Sequence, residues 1–210
     1  MTEDEARAWL VEQIGVSRGT IALLEKLEHA TVAANNSQNL IANSTIASFW
    51  SRHIVDSAQL LPLAAETRGS WIDLGSGAGF PGLVVAILED KQITLVEVRR
   101  KRAAHLESLV CLLGLENRVT VRQAKVESLE SCIHGVISAR AFAPLDRLFA
   151  AAHHLADSGT LWLLPKGRSA TSELEDIAGT WQGDFKLKQS ITDPDAAIIV
   201  ATDVHPRRLQ

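Results

Sequence analysis

The sequence lacks any apolar run near the roughly 20 residues that a membrane helix needs. Its first ten residues, Met1 to Leu10, have neither the basic start nor the apolar stretch of a secretory signal. The two cysteines, Cys111 and Cys132, have no paired spacing, which argues against a disulfide framework and against a zinc site. A reducing cytoplasm is the expected setting. Internal repeats and low-complexity segments are missing as well. A basic surplus is also lacking, since 21 Lys and Arg face 25 Asp and Glu, for a net charge of -4. A dedicated nucleic-acid binder usually carries positive charge that displaces counterions from phosphates. Any such attraction must here be local. The basic residues are unevenly spread: Arg99, Arg100, Lys101 and Arg102 form a block, Arg118, Arg122 and Lys125 follow, and Arg207 and Arg208 sit at the tail. Alone, the first block reads as the solvated start of a helix.

What is present suits one large α/β domain or one domain with a short extension, in a chain of 210 residues that are 46% apolar. Residues 3 to about 65 read as helical. Trp9, Leu10 and Ile14, then Ile21, Leu24 and Leu27, recur at three- and four-residue spacing, with Gly15 and Ser17 dividing two helices. Asn35 to Asn39 reads as a loop because such side chains compete for backbone hydrogen bonds. Ser44 is placed to cap a short helix, and Phe49 to Leu63 continues in helical register until Gly69.

From residue 70 short apolar runs alternate with longer amphipathic stretches, the pattern of a parallel sheet with crossover helices. Strands are expected near 70–74, 93–98, 118–122, 134–138 and 159–165, with helices near 81–90, 99–114, 125–131 and 144–157. Pro81 and Pro144 suit first-turn positions. Two further β-rich stretches, 184–191 and 196–204, flank a turn at Asp193-Pro194-Asp195. The expected fold is α/β, a Rossmann-like, mostly parallel seven-stranded sheet of the class I methyltransferase kind with helices on both faces. A helical N-terminal segment, 1–66, packs on a core domain of 67–210 in one compact unit.

The most informative segment is Trp71-Ile72-Asp73-Leu74-Gly75-Ser76-Gly77-Ala78-Gly79-Phe80-Pro81-Gly82, an apolar strand running through a glycine turn into a helix. Glycine permits positive φ and close approach of a ligand to backbone, and the N–H groups that open the helix face that ligand. Gly77, Gly79 and Gly82 also satisfy the dinucleotide fingerprint. Against that reading, Asp73 ends the strand, where an anion would face a pyrophosphate but could serve a cationic methionine moiety. The glycines also begin earlier, at Gly75, as in methyltransferases. Glu97 ends the second strand and can accept both hydroxyls of a ribose. Lys125-Val126-Glu127 lies where such folds contact adenine.

Methyl transfer from a sulfonium is an in-line displacement, which rewards alignment and desolvation. The loop Ser138-Ala139-Arg140-Ala141-Phe142-Ala143-Pro144 lacks the Asp/Asn-Pro-Pro-aromatic motif of amine methylation, and neither cysteine sits in the Pro-Cys pair that carbon-5 cytosine methylation uses. Guanine nitrogen 7 needs no base, only a donor to the adjacent carbonyl, and Arg140 or Lys166 can supply one. This allows guanine-7 methylation without requiring it.

Together with Asn39-Leu40, Arg52-His53-Ile54-Val55-Asp56-Ser57 and Pro165-Lys166-Gly167, these segments resemble the RsmG/GidB family from about residue 35 onward. The resemblance implies methylation of a guanine in the 530 loop of 16S ribosomal RNA, with S-adenosylmethionine as cofactor and S-adenosylhomocysteine as product. By matching positions, Gly75, Phe80, Val126, Glu127 and Arg140 would meet the cofactor, beside Asp73, Gly77 and Gly79, with Glu97 on the ribose. Asn39, Arg52, His53 and Lys166 would face the target nucleotide, with Phe142 as a stacking candidate and residues 99 to 102 as a basic RNA-facing block. Arg140, Lys166, Asn39 and His53 form the candidate catalytic set. The expected partner is 16S ribosomal RNA or the small subunit, met by a monomer without membrane or metal. His134 departs from the family, which commonly has a small acidic residue there. A small-molecule methyltransferase and a non-catalytic ribosome- or RNA-binding factor remain the alternatives, with a nicotinamide-dependent oxidoreductase last.

Overall fold

Along the central strands, alternate side chains point to opposite faces and almost all are apolar, so both faces of the sheet must be covered. In the computed structural model, which describes residues 1–207, they are. The strands are β1 (Trp71–Leu74), β2 (Ile93–Val96), β3 (Val119–Arg122), β4 (Val136–Ala139), β5 (Leu161–Lys166), β6 (Trp181–Gln189) and β7 (Ala197–Pro206). They form one sheet in the order β3-β2-β1-β4-β5-β7-β6. β1 to β5 run parallel, and the β6–β7 hairpin joins antiparallel to β5. The strand order reverses beside β1, between β1 and β4, the kind of switch point where open α/β sheets bind ligands. Arg208 lies outside the described residues.

Trp71, Leu95, Leu161 and Leu163 belong to one apolar cluster with the N-terminal segment, α4 (Gly82–Leu88) and α5 (Arg100–Leu113). Ile72, Leu74, Trp162 and Leu164 belong to another with α6 (Leu145–Ala152) and α7 (Ala170–Ile177). The N-terminal segment contributes α1 (Glu3–Trp9), α2 (Arg18–Gln38) and the short α3 (Asp56–Ala58). Buried Leu10, Leu24, Leu27, Phe49, Trp50 and Ile54 share the first cluster with the strands.

Several local expectations are corrected. Asn35 to Asn39 is no loop: α2 continues through Gln38 and ends where Asn39 turns left-handed at φ 47°. The buried Asn35 side chain does compete for backbone, but beyond the helix end. Its Oδ1 accepts the Ile41 N–H at 2.9 Å and its Nδ2 donates to Asn43 Oδ1 at 2.9 Å. Ser44 caps nothing; it lies inside a 3₁₀ helix of Asn43–Ser48 that starts after Ala42. The helix expected near 125–131 is a single turn, Val126–Ser128, because Leu129 returns to extended φ and ψ. α6 tightens into a 3₁₀ turn at His153–Leu155. Pro81 and Pro144 stand one residue before the first helical turn. α7 was not anticipated from sequence.

Candidate active site

β1 feeds directly into the glycine turn. Gly75 has φ +68°, and a Cβ there would lie 2.6 Å from the Phe142 ring. Gly82 is needed for packing: its Cβ would lie 2.3 Å from Leu95 and 2.9 Å from Asp73 Oδ2. Asp73 is fully buried and does not open onto the turn. Its Oδ1 accepts the Ser138 hydroxyl at 2.7 Å, and Trp71 Nε1 donates to that Ser138 oxygen at 2.8 Å. Asp73 Oδ2 accepts the Gly82 N–H at 3.3 Å. Burial raises the Asp73 carboxyl to a pKa of about 6, against the opposing pull of the Ser138 and Gly82 hydrogen bonds.

Glu97 grips the same turn. Its Oε2 accepts the Gly77 N–H at 3.1 Å and its Oε1 the Arg99 N–H at 2.8 Å. Val98, just beyond, is 54% exposed, an apolar surface that sequence reading passed over. Val126 is buried, while Glu127 is exposed. The basic block divides: Arg99, Arg100 and Lys101 are exposed, whereas Arg102 leans over the turn near Gly77 and donates to the Asn39 carbonyl at 3.2 Å. Asn39 itself is exposed. His134 is buried two residues before β4, with its ring against Ser70 at 2.9 Å.

Opposite the turn, a π-helical segment, Trp50–Val55, presents His53. Its ring stacks on Phe80, with centroids 5.0 Å apart, and lies 5.1 Å from the ring of Phe49. The hydrogen-bond network assigns its tautomer. The Thr45 hydroxyl donates to the Ala42 carbonyl at 2.7 Å, so its oxygen accepts from His53 Nε2–H at 2.9 Å. His53 Nδ1 then accepts from Arg140 Nη2 at 3.3 Å. Burial, with Arg140 and Arg52 adding like charge, lowers the His53 pKa to about 3. The imidazole is neutral, with both nitrogens engaged.

Arg140 also sits 5.4 Å above the Phe80 ring, and its Nη1 reaches the Arg52 carbonyl at 3.2 Å and Asp56 Oδ2 at 3.3 Å. Arg52 and Asp56 do not form the i,i+4 pair that their spacing permits. Arg52 pairs with Asp193 at 2.7 Å, and Asp56 Oδ1 accepts from Thr192 at 2.8 Å and Gln59 at 2.9 Å. The far wall carries Lys166, whose ammonium donates to Glu173 Oε2 at 2.7 Å and to the Ala143 carbonyl at 2.9 Å. Burial pulls the Glu173 carboxyl upward, but hydrogen bonds from Lys166 and Ser169 and the Lys166 charge outweigh it and hold it below the usual range. Between these walls the loop after β4 bends through Ala141, at φ +52°.

An open cavity with a volume of about 640 Å³ brings Arg52, His53, Arg140, Phe142 and Lys166 to one surface. Leu40 and Ile41 line it; Asn39 does not. Each of its three cations, Arg52, Arg140 and Lys166, is paired with a carboxylate, Asp193, Asp56 and Glu173. Sequence reading missed those partners and Thr45. Asp56 stood inside the motif Arg-His-x-x-Asp-Ser, a signal that could have found it; Glu173 and Asp193 carried none. Among the described residues, no group of three or more His, Cys, Asp or Glu is placed to hold a metal ion.

The fold is shared with an O-methyltransferase from Bacillus cereus solved in complex with SAH, at a TM-score of 0.62 and 14% identity over 93% of this chain and 96% of that one. Closer likeness is in sequence. The chain is 57% identical to a ribosomal RNA small subunit methyltransferase G from Rhizorhabdus wittichii, over 99% of this chain and 95% of that protein. It is 47% identical to one from Zymomonas mobilis, over 99% of this chain and 97% of that protein. With residues 20–196 also matching the GidB family model, described as rRNA small subunit methyltransferase G, the chain belongs to that family.

Proposed function

We propose that this chain transfers a methyl group from S-adenosylmethionine to ring nitrogen 7 of a guanine in the 530 loop of 16S ribosomal RNA, in the cytoplasm where small subunits are made. One observation carries the choice of acceptor: fixed cations line the cavity, while its imidazole, His53, is neutral and fully hydrogen-bonded. Guanine nitrogen 7 offers a lone pair and no proton, so such a site suffices. Arg140 and Lys166 are suited to hold the neighbouring carbonyl oxygen, and Phe142 offers a ring on which a flipped base stacks. Arg52 takes a flanking phosphate, and Asn39, at the end of α2, meets the RNA outside the cavity. Alkylation leaves positive charge on the base. The pairing of each cavity cation with a carboxylate lowers the repulsion of that product.

The nucleotide side fits the cofactor. Each Glu97 oxygen accepts one N–H, which leaves lone pairs for two ribose hydroxyls. Val98, beyond the end of β2, gives apolar surface to adenine, and Val126 and Glu127, beyond β3, stand beside it. Gly75 and Gly77 keep side chains out of the methionine path, beside Gly79 and Phe80, and Asp73 acts from beneath, by tying the turn to α4. Bound there, the cofactor supplies an electrophilic methyl group, and the residues on both sides align it with the acceptor.

The test is incubation with labelled S-adenosylmethionine and small subunits from cells lacking this activity, followed by nuclease digestion and mass spectrometry. The expected product is 7-methylguanosine at one guanine of the 530 loop. Cofactor binding without label in RNA would instead favour a small-molecule acceptor.

A further inference from the structure

The Lys166 ammonium has three N–H donors, and the structure leaves it little freedom to choose among them. One meets Glu173 Oε2 and another meets the Ala143 carbonyl, so a single N–H remains. Glu173 itself is fixed from three sides. Its Oε2 also accepts the Leu145 N–H at 3.1 Å, where α6 begins without a side-chain cap, and its Oε1 accepts the Ser169 hydroxyl at 2.8 Å. Both side chains are largely buried, at 11% and 17% exposure. The braced loop is the one that reaches the glycine turn, because Phe142, next to Ala143, is the ring against Gly75.

We propose that Glu173 is the positioning residue of the acceptor cavity: it turns the freely rotating Lys166 ammonium into one directed donor. It also fixes the loop after β4 relative to the glycine turn. Glu173 acts through Lys166 and not on the reacting atoms. This inference rests on the acceptor reading above. It predicts that loss of the carboxylate frees the amine and slows transfer, with little change in cofactor affinity.

Two measurements on the full chain test it. In the first, the protein is treated with limiting acetic anhydride, and acetylation of Lys166 is compared by peptide mass spectrometry with that of the exposed Lys186 and Lys188. Glu173→Gln should raise the relative labelling of Lys166 by about threefold or more, as expected for an ion pair opened by removing one partner. The second is a double-mutant cycle of single-turnover transfer to small subunits at saturating cofactor. Glu173→Gln should slow transfer by about tenfold alone and by less than about twofold in a Lys166→Met background. Glu173→Asp, which keeps the charge, should fall between wild type and Glu173→Gln, and it provides the comparison should the amide variant fold poorly. Unchanged labelling, or losses that multiply across the cycle, would overturn the proposal and reduce Glu173 to a cap for α6. Absence of transfer by the wild-type protein would sink the acceptor reading instead, with the labelling ratio still deciding for or against the brace.

Discussion

The two sides of the site are built by different means. On the nucleotide side, carboxylates hold backbone: Asp73 takes the N–H of Gly82, nine residues on, and Glu97 takes that of Gly77 across the adjacent β1–β2 pair. On the acceptor side, polar and charged side chains hold one another, and apart from Lys166 and Glu173, seven residues apart, they do so across long stretches of chain. Arg140 and Asp56 are 84 residues apart, Thr192 and Asp56 are 136 apart, and Arg52 and Asp193 are 141 apart. A turn of the first kind forms wherever its short segment forms. The second kind exists only once the N-terminal segment, the loop after β4 and the hairpin have met. Substitutions on the first side should therefore act on cofactor affinity, and those on the second on transfer.

The largest expected effect comes from filling the turn. In Gly75→Val, a β-branched residue must adopt positive φ and push against Phe142. Cofactor affinity, measured by calorimetry, should fall by about a thousandfold or more, the scale of about 4 kcal/mol. Unchanged affinity would mean that the cofactor lies elsewhere. Arg140→Ala comes next and should divide the two sides. Transfer should fall by about a hundredfold, as when one preorganised donor is removed, while cofactor affinity changes by less than about fivefold. Arg140→Lys should not restore it, since one ammonium cannot reach Asp56, His53 and the Arg52 carbonyl together. Equal losses of transfer and affinity would erase the distinction between the sides.

A smaller effect, on stability, sets the sides against each other through pH. Asp73 holds its proton to about pH 6 when folded, against an ordinary value of 3.8, so its contribution to stability is lost as pH rises through 6. His53 titrates near 3 when folded, against 6.5, so its contribution is lost as pH falls below 6.5 toward 3. Between about pH 5 and 6 each amounts to about 1 kcal/mol, with opposite sign, and they nearly cancel. Urea denaturation across that window should show His53→Gln gaining stability on acidification and Asp73→Asn losing it. Parallel slopes in both variants would contradict the two environments.

The same division explains what the sequence made legible. The strands, their order of appearance and the glycine turn depend on local patterns: short apolar runs between amphipathic stretches, a strand running into glycines, a carboxylate at a strand end. Even there, the direction of the Asp73 side chain was not legible: it faces Ser138 and the start of α4. The acceptor side was legible only as residue types within a family motif. Nothing near Arg52 announces Asp193, and Glu173, though only seven residues from Lys166, lies on α7, an eight-residue helix that was not anticipated from sequence. Asn35 to Asn39 misled for a related reason. Its polar side chains would favour a loop alone, but burial of Asn35 within the fold keeps the helix going.

The smallest effect concerns the most exposed of the three pairs. The side chains of Arg52 and Asp193 are 42% and 29% exposed, so solvent screens their attraction and removing it should change stability by less than about 1 kcal/mol. Function is a separate matter. A phosphate competes with Asp193 for the same guanidinium, and a contact made only by exchanging one anion for another is weak but salt-dependent. Arg52→Ala should raise the KM for small subunits by only a few fold, about 0.5–1 kcal/mol, and lower the slope of log affinity against log salt by about 1. Asp193→Asn, which frees Arg52 without removing it, should tighten RNA binding at low salt and leave the rate of transfer unchanged. If both variants weaken binding equally, then the pair acts as a structural clasp between the N-terminal segment and the hairpin, and Arg52 belongs with Arg140 and Asp56 in the architecture of the acceptor side, not with the RNA.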